Sequence, residues 1–349
     1  MTVFDYTRAL ADVPWIQYSP DTGSGMRCYY PTGGRRHSKW RCLFRIPEGG
    51  QRNTPFDFDA RKDDTSREFT RFFEIADELR ARGWCIFNLE TIPGGQEDTW
   101  RELSESNVAP AGATIAAQAM QWARDHAKEF PSELDTEAMV GLGNSAGALL
   151  WLLNILRPED QEQIPSLPEL GATRRKLVPR SHGRPDAVIA INPPIDFVAG
   201  DPLVMKEIAN GMVWQAEEFD RTVSDPNGFG YDATLGDYPV GVKGVWSMAS
   251  PLHHLAQNHH QNIGAKVYFS FEGPPAVRVE PATFVLGEQI TGVDGIDDSS
   301  LALVTEKLAG EAKLDFKLRW GTQSENLATP ALSGAELAKE VANWLDERF

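Results

Sequence analysis

The sequence GNSAG, residues 143–147, is the part of this chain whose residue types and spacing best suit catalysis. It stands between an apolar run that ends near Leu142 and another that begins at Ala146. In a tight strand-to-helix turn, a serine exposes its hydroxyl at the edge of a sheet, and the flanking glycines allow close packing. The amino end of the helix favours developing negative charge. Ser145 is therefore a candidate nucleophile, and a plain helix N-cap is the alternative.

Strands and helices are predicted to alternate around this turn. Short apolar runs are followed by stretches with the three-and-four spacing of amphipathic helices. The predicted strands are 27–30, 41–46, 84–89, 138–142, 187–191, 266–271 and 314–319, and the predicted helices are 65–82, 113–128, 146–156, 252–258, 299–308 and 334–348. Nearly continuous apolar strands between such helices indicate a parallel sheet that is covered on both faces. The sequence therefore predicts an α/β protein with a doubly wound, mostly parallel sheet.

The chain resembles the α/β-hydrolase superfamily, within it the hormone-sensitive-lipase-like and carboxylesterase-like enzymes. The most similar segment is Leu134 to Gly147, which contains the serine turn and follows the stretch Gln121 to His126. Glu78 to Leu89 is similar to the family's helix–strand unit after the oxyanion loop, and Ala249 to Leu252 to its segment after the cap. The resemblance covers most of the chain and implies the α/β-hydrolase fold.

A lid is expected above the carboxyl edge of the sheet. Residues 195–250 leave from the end of a predicted strand and contain several aromatic residues, among them Trp214 and Trp246, which suit the wall of an apolar pocket. We therefore expect residues 1–194 and 251–349 to form the hydrolase core and 195–250 to form a lid insertion. The alternative is an insertion that packs only on itself.

The resemblance also implies where an oxyanion hole would lie. The family has a His-Gly-Gly-Gly sequence after its third strand, and the matching stretch here ends in Glu48, Gly49 and Gly50. Backbone N–H groups do not require the histidine, so Gly49 and Gly50 are expected to bind the oxyanion together with the N–H of Ala146. An ordinary Gly-Gly turn is the alternative.

The family order of serine, acid and histidine is incomplete in this chain. Asp294 is the first candidate for the acid and Asp297 the second, with helix capping as the alternative for both. The histidine is expected between the last strand and the last helix, but no histidine follows His260. A serine without a base is a weak nucleophile. His253 and His254, directly after the lid, are candidates for the base; otherwise they belong to a solvated helix start.

Composition excludes several other classes of protein. There are 50 acidic and 34 basic residues, and the net charge of −16 disfavours binding to nucleic acid or to anionic membranes. The three cysteines lie in predicted strands, which argues against a disulfide framework or a zinc site and fits a reducing compartment. Neither a secretory signal nor a long apolar run is evident, so we expect a cytoplasmic protein.

Two further expectations concern ligands and assembly. The sequence has no metal-ligand spacing and no dinucleotide fingerprint in a strand–helix context, so no metal and no cofactor are expected. The expected partner is a small-molecule substrate, and a homodimer is left open.

The residues favour a serine-dependent enzyme that hydrolyses a carboxylic ester, lactone or thioester through an acyl-enzyme and an oxyanion hole. The second hypothesis is a non-hydrolytic lyase, dehydratase or cyclase, in which Ser145 donates a hydrogen bond and Glu48 or Glu288 carries a proton. The third is a catalytically inactive ligand-binding homologue of the same fold.

Overall fold

The computed structural model describes residues 14–19, 24–33, 38–46, 67–90, 111–144, 146–156, 183–193, 251–257, 264–272, 300–321 and 334–349. The strands in these ranges are β1 (Trp15–Ser19), β2 (Ser24–Tyr29), β3 (Trp40–Ile46), β4 (Trp84–Glu90), β5 (Leu134–Asn144), β6 (Ala187–Ile191), β7 (Lys266–Glu272) and β8 (Asp315–Gly321). The helices are α1 (Arg67–Ala81), α2 (Ala111–Asp125), α3 (Ala146–Leu156), α4 (Pro251–Gln257), α5 (Ser300–Glu311) and α6 (Gly334–Asp346), with a 3₁₀ turn at Ala127–Glu129.

The eight strands form one sheet in the order β1-β2-β4-β3-β5-β6-β7-β8. Strand β2 is antiparallel to both of its neighbours, and every pair from β4 to β8 is parallel. Strand β5 lies in the interior of the sheet, between β3 and β6. The parallel strands end at the same edge, so the segments after β3, β5, β6, β7 and β8 all leave the sheet there.

Helices cover both faces of the sheet, as the nearly continuous apolar strands require. On β3, the buried side chains of Cys42 and Phe44 belong to the core beneath α2, α3, α4 and α5. Leu43, between them, belongs to the opposite core beneath α1 and α6. This alternation follows from the two-residue period of a strand.

Helices α3 and α6 differ in how much of their surface is apolar. Helix α6 buries one stripe at helical spacing, formed by Leu337, Ala338, Val341, Ala342, Trp344 and Leu345. In α3 the side chains from Ala148 to Leu153, together with Ile155 and Leu156, are all buried. A helix that is apolar on every side requires cover on every side. Accordingly, α3 packs between the sheet and helices α2 and α4.

The α/β class and the mostly parallel sheet predicted from the sequence are confirmed. The bounds of α3 and β6 agree with those predicted. Strand β5 begins at Leu134 rather than 138, because the polar residues 135–137 continue its extended backbone. Strand β1 was not predicted. The lid predicted at 195–250 lies outside the described residues.

No helix within the described ranges is both long enough and apolar enough to span a bilayer.

Candidate active site

Residue 145 is the single residue between the last residue of β5, Asn144, and the first residue of α3, Ala146. Ser145 itself lies outside the described residues, but the two elements that flank it are described. The connection from a central parallel strand to its following helix is thus one residue long. It lies at the carboxyl edge of the sheet, where ligand sites of open α/β folds form.

Gly143 allows strand β5 and helix α3 to meet closely enough for so short a turn. A Cβ atom on Gly143 would overlap backbone atoms of Gly147 and Ala148 in the first turn of α3. Two residues earlier, a Cβ on Gly141 would lie 2.7 Å from Cγ of Trp151. A side chain at 143 would displace the helix backbone, and a side chain at 141 would displace the Trp151 ring. Glycine at both positions therefore lets β5 and α3 pack closely.

Strand β3 delivers its following segment to the same place. Ile46, the last residue of β3, is the register partner of Gly143 on β5. Glu48, Gly49 and Gly50 follow directly in the sequence, outside the described residues. The chain therefore leaves β3 beside Gly143, which is two residues before Ser145 in the sequence.

Buried polar side chains lie near the carboxyl ends of β3 and β4. Arg45 is 7% exposed and donates from Nη1 to Oδ1 of Asn88 at 2.9 Å. Asn88 is fully buried and is the register partner of Arg45. A guanidinium is costly to bury, so its placement three residues before Glu48 marks this edge of the sheet as polar. The sequence signal was an arginine near the end of one largely apolar strand and an asparagine near the end of the next.

Asn144 and Asn192 bring two more polar residues to this edge. Both amide atoms of the Asn144 side chain are buried, and neither has a hydrogen-bond partner in the described part of the chain. Asn192 directly follows β6 and has a left-handed backbone, with φ of 44°. Its N–H donates to the carbonyl of Ser270 on β7 at 2.7 Å. Non-glycine residues in this conformation cluster at functional sites. The sequence alone does not single out Asn192 as a site residue.

His254 is the one predicted base whose side chain is described. It is 2% exposed and lies on α4, which packs against α3 and α5. The burial of His254 disagrees with the alternative interpretation, which placed it at a solvated helix start. His253 lies on the same helix, but its side chain is not described.

The other predicted site residues lie outside the described ranges, so the structure does not test their placement. They are Ser145, Glu48, Gly49, Gly50, Trp214, Trp246, Glu288, Asp294 and Asp297. Ala146 is described as the first residue of α3. In the described part of the chain, no group of three or more His, Cys, Asp or Glu side chains is arranged to hold a metal ion.

His126 has a structural role. Its ring stacks on Trp122 with centroids 4.1 Å apart, and its Nδ1 lies 2.7 Å from the Trp122 carbonyl oxygen. It precedes the 3₁₀ turn at the amino edge of the sheet, opposite the serine turn.

The comparison with known proteins rests on structure, because no family model and no curated protein sequence matches this chain. A thermophilic esterase from the planctomycete Thermogutta terrifontis, with butyrate bound, aligns at a TM-score of 0.52 and 14% identity, covering 99% of this chain and 95% of the esterase. Thermogutta terrifontis esterase 2 phosphonylated by sarin aligns at 0.52 and 14% identity, covering 97% and 92%.

A truncated carbohydrate esterase from gut microbiota aligns at a TM-score of 0.55 and 13% identity, covering 96% of this chain and 94% of that one. At these identities the similarity concerns the fold alone. The described part of the chain thus has an α/β fold of the kind found in these esterases.

Proposed function

We propose that this chain is a serine-dependent hydrolase of carboxylic esters, lactones or thioesters with the α/β-hydrolase fold. The observation that carries the proposal is the one-residue connection between β5 and α3, with Gly143 packed against the first turn of the helix. A turn of this kind holds the residue between the two elements at the carboxyl edge of the sheet. In this sequence that residue is Ser145.

Backbone N–H groups form the oxyanion hole of the proposed reaction. Ala146 begins α3, so its N–H belongs to the first turn of a helix and has no partner within it. The N–H groups of Gly49 and Gly50 supply the other donors, and Glu48 lines the same site. The register pairing of Ile46 with Gly143 supports this arrangement, because segment 47–50 begins beside the serine turn.

The reaction forms and then hydrolyses an acyl-enzyme. The Ser145 oxygen attacks the carbonyl carbon, its proton passes to a base, and the carbonyl oxygen becomes the anion held by the N–H groups. The alcohol or thiol leaves with that proton, and water releases the acid in a second cycle. His254 or His253 serves as the base and Asp294 as the acid. The packing of α4 against α3, the helix that follows Ser145, supports a base from α4.

Known esterases of the same fold support this choice of reaction. One is described with butyrate bound and again phosphonylated by sarin, and another is a carbohydrate esterase. We propose a small-molecule substrate bounded by Trp214 and Trp246 of a lid, in a cytoplasmic protein that binds neither nucleic acid nor membranes.

A fluorophosphonate probe tests the proposal. We expect the wild-type protein to be labelled at Ser145 and to hydrolyse short p-nitrophenyl esters, and Ser145→Ala to abolish both. Ser132→Ala is the matched control, because Ser132 is a buried serine at the opposite, amino edge of the sheet. Labelling at any other residue, or none at high probe concentration, contradicts the proposal.

The absence of a histidine between β8 and α6 favours one second candidate. A lyase, dehydratase or cyclase can use the oxyanion hole to stabilise an enolate, with Ser145 as hydrogen-bond donor and Glu48 or Glu288 as proton carrier. Incorporation of ¹⁸O from labelled water into a product acid identifies hydrolysis. Product without incorporation identifies the alternative, and tight ligand binding without any turnover identifies an inactive homologue.

A further inference from the structure

Every cysteine of this chain lies on the same face of three adjacent strands. Cys28 is on β2, Cys85 on β4 and Cys42 on β3, and their side chains are all part of the core beneath α2 to α5. None is exposed by more than 1%, and all three are free thiols. Their odd number and their positions in strands argue, from the sequence alone, against a disulfide framework. The structure groups them in a way that distinguishes one pair from the third.

Cys28 and Cys85 are the close pair, with their Sγ atoms 3.3 Å apart. Cys42 is the register partner of Cys85, but its Sγ lies 3.5 Å from the carbonyl oxygen of Trp40 on its own strand. We infer that Cys28 and Cys85 form a dithiol that closes to an intramolecular disulfide, while Cys42 remains a thiol. This inference does not rest on the proposed function.

The Cys28 and Cys85 sulfur atoms already touch, and closure requires a further approach of the two side chains, helped by local adjustment of the β2–β4 pairing. A disulfide has its sulfur atoms about 2.0 Å apart, so side-chain rotation must bring the two sulfurs closer by roughly 1.3 Å. Strands β2 and β4 are antiparallel neighbours, with Cys28 opposite Phe87, so Cys85 is a diagonal neighbour of Cys28 on the same face. Diagonal neighbours are within reach of each other's side chains.

Burial determines how the bond forms. Desolvation is the main reason that the pKa of the Cys85 thiol is raised well above its usual value, and the hydrogen bond to Cys28 is the second. The thiolate is the nucleophile, so the packed protein reacts slowly. Among the described strands, only β1 lies outside β2 at this edge of the sheet. Local separation of β2 from β4 therefore exposes both sulfurs to an oxidant without unfolding the other strands.

Glutathione disulfide supplies a balanced route. The Cys28 thiolate attacks one glutathione sulfur, the glutathione S–S bond breaks, and the first glutathione leaves as a thiol after taking up a proton. The Cys85 thiolate then attacks the Cys28 sulfur of the mixed disulfide and releases the second glutathione. The protein loses two electrons and two protons, and one glutathione disulfide becomes two glutathione thiols.

The bond would join residues 57 positions apart and enclose β3, α1 and the segment Glu48–Gly50 in one covalent loop. A cross-link of this length restricts the unfolded chain more than the folded one. We therefore expect the oxidised protein to melt about 5 °C above the reduced protein.

The test equilibrates folded, reduced protein with oxidised and reduced glutathione, with and without sub-denaturing urea. Peptide mapping by mass spectrometry under non-reducing conditions then assigns the sulfurs. We expect a Cys28–Cys85 peptide pair and a free Cys42, formed faster in urea, with the higher melting temperature reversed by dithiothreitol. A bond that includes Cys42, or three free thiols at equilibrium, overturns the inference.

Two alanine variants separate the pair from the third thiol. Cys42→Ala is the matched control, since it removes a buried thiol of the same cluster and should leave both the bond and its thermal shift intact. Cys28→Ala should remove both. If either variant fails to fold, the peptide map of the wild-type protein still decides the question.

Discussion

Asp346, in the last turn of α6, accepts a hydrogen bond from Nη1 of Arg41, at the start of β3, at 3.1 Å. The same carboxylate accepts from Nη1 of Arg82, just after α1, at 2.8 Å. Burial lowers the pKa of Arg41, whose side chain is only 5% exposed, and the carboxylate of Asp346 opposes that effect. One acidic residue thus ties α6 to the sheet and to the end of α1 at the amino edge.

We expect Asp346→Asn to lower the free energy of unfolding by about 2 kcal/mol, because it leaves the buried Arg41 charge without this carboxylate. The same change costs Arg82 less stabilisation, because Arg82 also forms an ion pair with Glu78 at 2.6 Å. Urea denaturation measures the loss. Glu133→Gln is the control, because its pair with Lys39 is solvent-exposed and such pairs contribute little. Equal effects of the two changes would contradict this account of Asp346.

Gly143→Ala should destabilise the protein by about 3 kcal/mol, because the added methyl group overlaps backbone atoms of α3 that cannot move aside. It should also reduce labelling at Ser145. Gly310→Ala is a matched control, since a Cβ on that α5 glycine meets nothing within 4 Å. Alanine there should raise stability by about 0.5–1 kcal/mol through helix propensity. Thermal unfolding and probe labelling of both variants check the contrast.

The contacts of Glu340 predict that the protein becomes less stable as the pH falls. Burial disfavours its ionisation, but Arg319, Lys317 and Tyr268 donate hydrogen bonds to it, and the net effect holds the pKa of Glu340 below its usual range. Because the pKa of Glu340 is lower in the folded protein than in the unfolded chain, its ionisation stabilises the fold at pH values above the unfolded-state pKa. This contribution is lost as the pH falls through the folded-state pKa.

Glu340→Gln should therefore cost about 1–2 kcal/mol at neutral pH, where the carboxylate holds its cationic partners. The difference from wild type should shrink below about pH 5, as the wild-type carboxylate becomes protonated. Urea denaturation of both proteins from neutral to acidic pH measures this. A difference that stays constant over the range would mean that the charge of Glu340 contributes nothing.

The left-handed backbone of Asn192 can be tested apart from its side chain. Asn192→Ala and Asn192→Gly both remove the amide, but only glycine adopts φ of 44° without strain. The alanine variant should be less stable than the glycine variant by about 1 kcal/mol. If the two variants unfold at the same denaturant concentration, the conformation at 192 is not strained in the protein.

Patterns within single elements were sufficient to predict most of the sheet and the serine turn. Apolar runs located seven of the eight described strands, and the glycines of GNSAG located the close approach of β5 to α3. Strand β1 was missed because its five residues alternate weakly and are stabilised by pairing with β2 rather than by their own apolarity.

Pairing between distant residues could not be predicted in the same way. The left-handed backbone at Asn192 depends on the position of β7, whose Ser270 carbonyl accepts its N–H. The contact between Cys28 and Cys85 depends on β2 entering the sheet beside β4. Both relationships arise from strand order, which local periodicity does not encode. The acid and base predictions remain predictions for Asp294, His253 and His254.

The interior position of β5 has a consequence for how the protein acquires its shape. Among the described elements, β4, α1 and α2 lie between its partner β3 and β5 in the sequence, and α3 lies between β5 and its other partner β6. Pairings across such long separations close late and slowly, because the entropy of each large loop is lost before contacts compensate for it. A chain with only its local helices and the edge hairpin formed would contain GNSAG without the neighbouring strands that hold it in place. The reactivity that we propose for Ser145 would then arise only in the final stages of folding.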